Sequence, residues 1–303
     1  VRTDNVGGIT TQKYIKPYRF SLMWQNRLWM FNDQAERKNT VICSAYGTNC
    51  VFNGDDSVER QFGDGKEAIC AESLFTRYGA NLYDNMVVLK KNAAFLVDGF
   101  SPASWVIYKV SDTVGCVAAL TLKRCDLNYE VAQGITKHVL LWRSARGIEF
   151  FDGNTLTPVS ADIRNFFDPT SADYIDPAVY DVSQESGGYD DINSEYHWFF
   201  TNVSGKQEWV YDLKWHKWHQ ISRGTGKALN CGFSVVDARG NNFLFAGTSD
   251  GFIERLEHGT TFDGNAIAYT FWTGDILLAK TGDYVTKLRH IKMSAKAKNV
   301  SNA

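Results

Sequence analysis

The residue types that could do chemistry are few in this chain, and most sit in settings that suit a scaffold. "KWHKWHQ" (214–220) places His216 and His219 beside Trp215 and Trp218. Such a run suits a metal site or an aromatic platform. On a strand, however, positions i and i+3 face opposite ways, so the two imidazoles cannot easily share one ion. An outer strand with packed Trp is the expectation. Carboxylates and glycines gather in "NGDDSVERQFGDGKE" (53–67) and "GGYDDINSE" (187–195). Neither has the ligand spacing of an EF-hand calcium loop, so both are expected to be solvated loops. "KLRHIKMSAKAK" (287–298) is a basic run, with Lys287, Arg289, His290, Lys292, Lys296 and Lys298. It lacks the interleaved aromatics that would stack on bases, so a solvated strand and tail is expected. No nucleophile elbow, phosphate-binding loop, zinc-protease or dinucleotide motif occurs. No catalytic, cofactor-binding or metal-ligating residue is therefore expected, and no enzyme.

Composition narrows the classes further. The chain has 303 residues, is 44% hydrophobic and 14% aromatic with nine Trp, and has a formal net charge of −2. That is ample for a globular core, with no bulk basicity for nucleic acid or anionic membrane. No stretch approaches the roughly 20 apolar residues of a membrane span. The six cysteines, at 43, 50, 70, 116, 125 and 231, include no Cys-x-x-Cys pair. They are expected to be buried free thiols in a reducing compartment. The opening Val1 and the lack of a signal-like segment suggest a fragment or a processed product.

The elements that would position any site are hairpins, and one hairpin type recurs. "HVLLWRSARGIEFFDG" (138–153) is an apolar run, a turn at Ser144–Gly147, a return run and an Asp-Gly stop. Gly147 is expected to supply a positive φ. The same unit occurs at 19–33, 86–99, 196–213 and 241–256, turning at Gln25-Asn26, Lys91-Asn92, Ser204-Gly205 and Ser249–Gly251. Four return strands close on Asp33, Asp98, Asp152 or Asp212. The turns repeat at intervals of roughly 45 to 66 residues, near or above the blade length of WD40 and kelch propellers.

Flanking segments supply further strands: 39–46, 104–111 and 269–276 as outer ones, 114–122 and 230–237 as inner ones. Helical periodicity is confined to a turn or two near 159–167. The acid-rich stretch 169–195, with two of the five prolines and no Lys or Arg, is expected to be a surface excursion. A sandwich or barrel would not be expected to repeat one hairpin five times. Blades do, because each small sheet buries both faces against its neighbours. The expected fold is all-β, a β-propeller of five to seven mostly four-stranded blades. It would span 18–295, with a lead-in at 1–17 and a tail at 296–303, and 283–298 would add a further strand.

Several phrases resemble the β-propeller domains of tailed-bacteriophage neck and tail proteins. "GCVAALTL" with "HVLLWRSARGIEFFDG", "QEWVYDLKWHKWHQIS", "FAGTSDGFIERL", and "YTFWTGDI" with "VTKLRHIKM" follow one another in the order of such blades. They cover most of 18–295, although no appended platform or tip domain is visible. The resemblance implies a non-enzymatic structural virion protein, assembled in the bacterial host cytoplasm. It would dock to other virion proteins as a homo-oligomeric ring, with no membrane and no tight nucleic-acid binding. The alternative is a carbohydrate-binding or sialidase-like propeller. "TSDGF" (248–252) is similar to a sialidase Asp-box, and Trp215, Trp218 and Trp272 could form an aromatic platform. A sialidase needs an arginine triad, and Arg143, Arg146 and Arg255 have no spacing that picks one out. Asp250 is expected to cap a tight turn instead.

Overall fold

A computed structural model describes residues 2–6, 9–13, 17–34, 37–49, 51–52, 56–78, 81–127, 137–223, 228–259, 261–262 and 265–266. Contacts divide the chain into two compact units, Val1–Leu256 and Glu257–Ala303. In the second, β22 (Thr261–Phe262) pairs with β23 (Asn265–Ala266). The expected strands at 269–276 and 283–298, the basic run, Trp272 and Cys50 lie outside the described residues.

The first unit is all-β. A hairpin of β1 (Arg2–Val6) and β2 (Ile9–Lys13) precedes five antiparallel sheets. The first sheet comprises β3 (Tyr18–Trp24), β4 (Arg27–Asp33), β5 (Thr40–Cys43) and β6 (Glu59–Gln61). The second comprises β7 (Ala68–Tyr78), β8 (Asn81–Lys90), β9 (Ala94–Asp98) and β10 (Val106–Ser111). The third comprises β11 (Lys123–Asp126), β12 (His138–Ser144), β13 (Gly147–Phe151) and β14 (Leu156–Pro158). The fourth comprises β15 (Ser186–Asp190), β16 (Glu195–Asn202), β17 (Gly205–Asp212) and β18 (Lys217–Ile221). The fifth comprises β19 (Leu229–Val236), β20 (Asn242–Thr248) and β21 (Ile253–Arg255). Within each sheet, strands pair in chain order as a meander.

The apolar runs work because a strand alternates its side chains between two faces. In β8, Met86 and Val88 join Trp24, Trp29 and Phe31 of the first sheet, while Val87 and Leu89 join Leu140 and Trp142 of the third. In β12, Leu140 and Trp142 face back to that core, and Val139 and Leu141 face forward to Trp198 and Phe200. Successive residues of one run thus serve two cores. Each fully buried side chain of this size contributes roughly 1.5–3 kcal/mol relative to exposure. Four of the cysteines pack in these cores, Cys231 is half-buried, and all five described thiols are free. Burial pushes the Cys70 and Cys125 thiols well up, which keeps them unreactive.

Several expectations need correction. The 19–33 hairpin forms the first two strands of its sheet, and 39–46, expected as its outer strand, is not outermost. Segment 39–46 supplies its third strand, and the short β6, from within the 53–67 stretch, is the fourth. The 114–122 segment is not a strand. It holds only a 3-10 turn at Ala119–Thr121 and is pinned across the second and third sheets. Cys116 N donates to Lys90 O at 2.8 Å, and Trp142 Nε1 donates to Gly115 O at 2.9 Å. A Cβ on Gly115 would fall 1.9 Å from Lys90 O, so only glycine fits that approach.

Gly147 also has a different role. It lies in the extended strand β13 with no positive φ, and the place of its missing side chain is taken by Ser160 Oγ. Stretch 169–195 is only partly a surface excursion. Its segment Ser186–Asp190 is the fully buried strand β15, so "GGYDDINSE" begins inside a sheet and is a solvated turn only around Ile192 and Asn193. Double glycine makes this possible, since Gly188 packs against Leu244 and Gly232. The short helical segment near 159–167 is a 3-10 helix at Ala161–Phe166. Among the described residues no helix is long and apolar enough to cross a membrane.

Candidate functional site

The stretch 168–185 builds a cleft against the fourth and fifth sheets. Ile175 anchors it, buried in the aromatic core with its amide on Phe166 O at 3.0 Å. Asp181 then caps a short 3-10 turn, Val182–Gln184, accepting from Ser183 N at 3.1 Å and Ser183 Oγ at 2.6 Å. The cleft has a volume of about 430 Å³, and Tyr180, Asp181, Gln184, Glu185, Thr201 and Asn230 are among its walls.

Glu185 is the most constrained of these. It is 4% exposed. Trp198 Nε1 donates to its Oε2 at 2.9 Å. Arg143 Nε lies 3.3 Å from the same oxygen, an ion-pair contact without hydrogen-bond geometry. The Arg143 guanidinium lies over the Phe167 ring, 4.5 Å from its centroid. Oε1 of Glu185 is buried and has no hydrogen-bond partner. Burial outweighs the help from Arg143 and Trp198, and pushes the carboxyl up from its ordinary value.

The opposite face of the fourth sheet carries a second buried charge group. Arg223 donates to both carboxylate oxygens of Glu208, Nε to Oε2 at 2.6 Å and the second guanidinium nitrogen to Oε1 at 2.7 Å. His197 Nδ1 lies 2.9 Å from Oε1. Here the partners outweigh burial, and Glu208 is held below the ordinary carboxylate range. The sequence reading missed both groups. His197 within "YHWFF" and Arg143 ending "HVLLWR" were the available signals, since a polar residue in a buried run must have a partner.

The sequence-picked residues are scattered. Trp218 packs as expected, donating to Val159 O at 2.7 Å, but Trp215 is 74% exposed. His216 lies in a turn with φ +54° beside the Tyr211 hydroxyl at 3.0 Å, while His219 is exposed on β18. Asp250 does cap its turn, accepting from Thr248 Oγ1, which in turn accepts from Phe252 N at 3.0 Å. Arg143, Arg146 and Arg255 are not brought together as a triad. Arg146 pairs with Glu149 at 2.7 and 3.1 Å, and Arg255 lies over Phe243. The acidic strand ends serve turns. Asp152 accepts from Asn154 N and Thr155 N, and Asp212 from Lys214 N and Trp215 N. Among the described residues no group of three or more His, Cys, Asp or Glu could hold a metal ion. The chain matches no protein-family model and no curated protein.

Proposed function

We propose that the five sheets are blades of a β-propeller of five to seven blades, and that the protein is a non-enzymatic docking module of a bacteriophage tail or neck. The observation that carries the fold is the order of contact between sheets. The first strand of each touches the next: β3 meets β7, β7 meets β11, β11 meets β15, and β15 meets β19. Inner strands in chain order, with meanders running outward from them, are what a radial array requires.

Closing a ring requires cover for the outward faces of the end sheets. Met23 on β3 and Phe233, Val235 and Ile253 on the fifth sheet are exposed there. The virion assignment is supported by the resemblance of the phrases. Three of them, "HVLLWRSARGIEFFDG", "QEWVYDLKWHKWHQIS" and "FAGTSDGFIERL", fall on the third, fourth and fifth sheets. Its partners would be other virion proteins, in a homo-oligomeric ring. The near-neutral charge suits a wall that DNA passes without sticking, since each phosphate contact needs a Lys or Arg.

Electron microscopy of the isolated protein and of its parent particle tests both parts. A disc of radial sheets and a matching ring in the tail or neck density are expected. An open stack of sheets would overturn the propeller, and absence of the chain from every virion density would overturn the assignment. Duplex-DNA anisotropy at physiological salt should show no binding. A sub-micromolar, steeply salt-dependent affinity would contradict the near-neutral wall.

A further inference from the structure

We infer that Cys70 and Cys116 are a dithiol pair that closes to a disulfide in oxidising surroundings and staples the second sheet to the segment leading into the third. This goes beyond the docking role and does not depend on it, because both residues belong to the first compact unit.

Placement is the first reason. Of the five described cysteines, Cys43 and Cys125 each stand alone in a separate core, and Cys231 is half-buried. Cys70 and Cys116 share one core, with Leu74, Leu89, Leu140 and Trp142 around them. Their backbones meet at the end of the same strand. Cys70 lies opposite Leu89 of β8, just after a slip in the β7–β8 register, and a bulge of this kind re-aims the side chains beside it. The next residue of β8, Lys90, accepts the Cys116 amide at 2.8 Å. Gly115, which alone fits its close approach to Lys90 O, fixes Cys116 there. The side chains then face each other. The Cys70 thiol is hydrogen-bonded to Cys116, and Cys116 Sγ donates to Ala118 O at 3.2 Å.

The second reason is what a bond at this place would do. The two cysteines stand 46 residues apart, and the chain between them holds the rest of β7 together with β8, β9 and β10. A link there closes a long loop around one whole sheet, which constrains the unfolded chain far more than the folded one. Only weak S–H hydrogen bonds are given up in exchange. The step needs an oxidant, here a small disulfide such as oxidised glutathione. One protein thiolate attacks a glutathione sulfur and expels reduced glutathione. The other thiolate attacks the mixed disulfide and expels the second glutathione. Two protein thiols lose two electrons and two protons, and one small disulfide becomes two thiols. In the packed core neither sulfur can be reached, since Cys70 is 7% exposed and Cys116 0%. The staple therefore forms through local opening of the 114–118 connection, and once closed it is shielded from reduction.

The test incubates the folded full chain with oxidised glutathione in urea below the unfolding transition, then maps disulfides by mass spectrometry of unreduced tryptic peptides. A link between the Cys70 and Cys116 peptides should dominate, and the linked protein, freed of urea, should melt roughly 5–10 °C higher than the reduced one. Dithiothreitol added to the unfolded chain should remove the link and the shift together. Cys70→Ala and Cys116→Ala should each abolish both, whereas Cys125→Ala, in a different core, should leave both. Cross-linking that prefers other cysteines, Cys50 included, would overturn the inference without needing any variant to fold. So would a chain that keeps both thiols reduced under these conditions, or a Cys70–Cys116 link that leaves the melting temperature unchanged or lowers it.

Discussion

The two faces of the fourth sheet each bury a glutamate, and they treat it in opposite ways. Towards the third sheet, Glu185 sits at the edge of a dense aromatic core. Trp198 and Phe200 stack there at 3.9 Å between centroids, with Phe166 edge-on to both. Towards the fifth sheet the apolar core is small, built from Phe199, Leu229, Leu244, Ala246 and Leu256. There Glu208 has both oxygens answered by Arg223 and a further contact to His197. One face is held by apolar burial and tolerates an imperfectly paired carboxylate. The other has less to bury and a carboxylate with both oxygens paired, and there the orphan atom is His197 Nε2 instead. The two carboxyls are shifted in opposite directions because burial outweighs the partners at Glu185 while the partners outweigh burial at Glu208.

The comparison breaks most directly at Trp198. Trp198→Ala removes the centre of the aromatic core and the donor to Glu185. It should cost about 3–5 kcal/mol in urea unfolding at neutral pH. A loss below about 1 kcal/mol would mean that the aromatic face does not dominate. Next comes Arg223→Met, which leaves Glu208 buried with His197 alone and should cost about 3 kcal/mol. That cost should shrink in acid as Glu208 takes up a proton.

The pH dependence then separates the two carboxylates by sign. Glu208 titrates lower in the folded protein than in the unfolded chain. Its stabilisation is present above the ordinary glutamate value, about 4.3, and is lost as pH falls through the folded value. Glu185 titrates higher when folded, so its contribution is complete below the ordinary value and is lost as pH rises through the folded one. Wild type should therefore lose stability relative to Glu208→Gln on acidification, and relative to Glu185→Gln on going from about pH 4 to pH 7. Slopes of the same sign for both would show that the two faces do not differ as described. The smallest effect belongs to Trp215→Ala, which should change stability by less than about 0.5 kcal/mol because the ring is largely in water.

Much of the strand pattern was legible because its causes are local. The continuous apolar runs in "HVLLW" and "YHWFF" mark strands buried on both sides, and the acidic stops mark turns in which Asp152 or Asp212 accepts backbone amides. Gln25 and Asn26 turn the first hairpin with φ of +49° and +54°, as a tight two-residue connection of this twist requires. The cleft was not legible. Glu185 and Arg143 stand 42 residues apart, and neither carries a spacing that predicts the other.

The sequence by itself determined the paired strands of the repeated hairpins and where they turn, since side-chain pattern and turn chemistry act within a few residues. Only the tertiary structure decided which neighbour each face meets. That choice made Gly147 a seat for Ser160 rather than a hinge, and turned "SGGYD" from an acidic loop into a buried inner strand. It also left one oxygen of Glu185 without a partner while both oxygens of Glu208 were paired. These outcomes depend on which atoms fill a given volume and exclude water from it, a property of the packed sheets and not of any single segment.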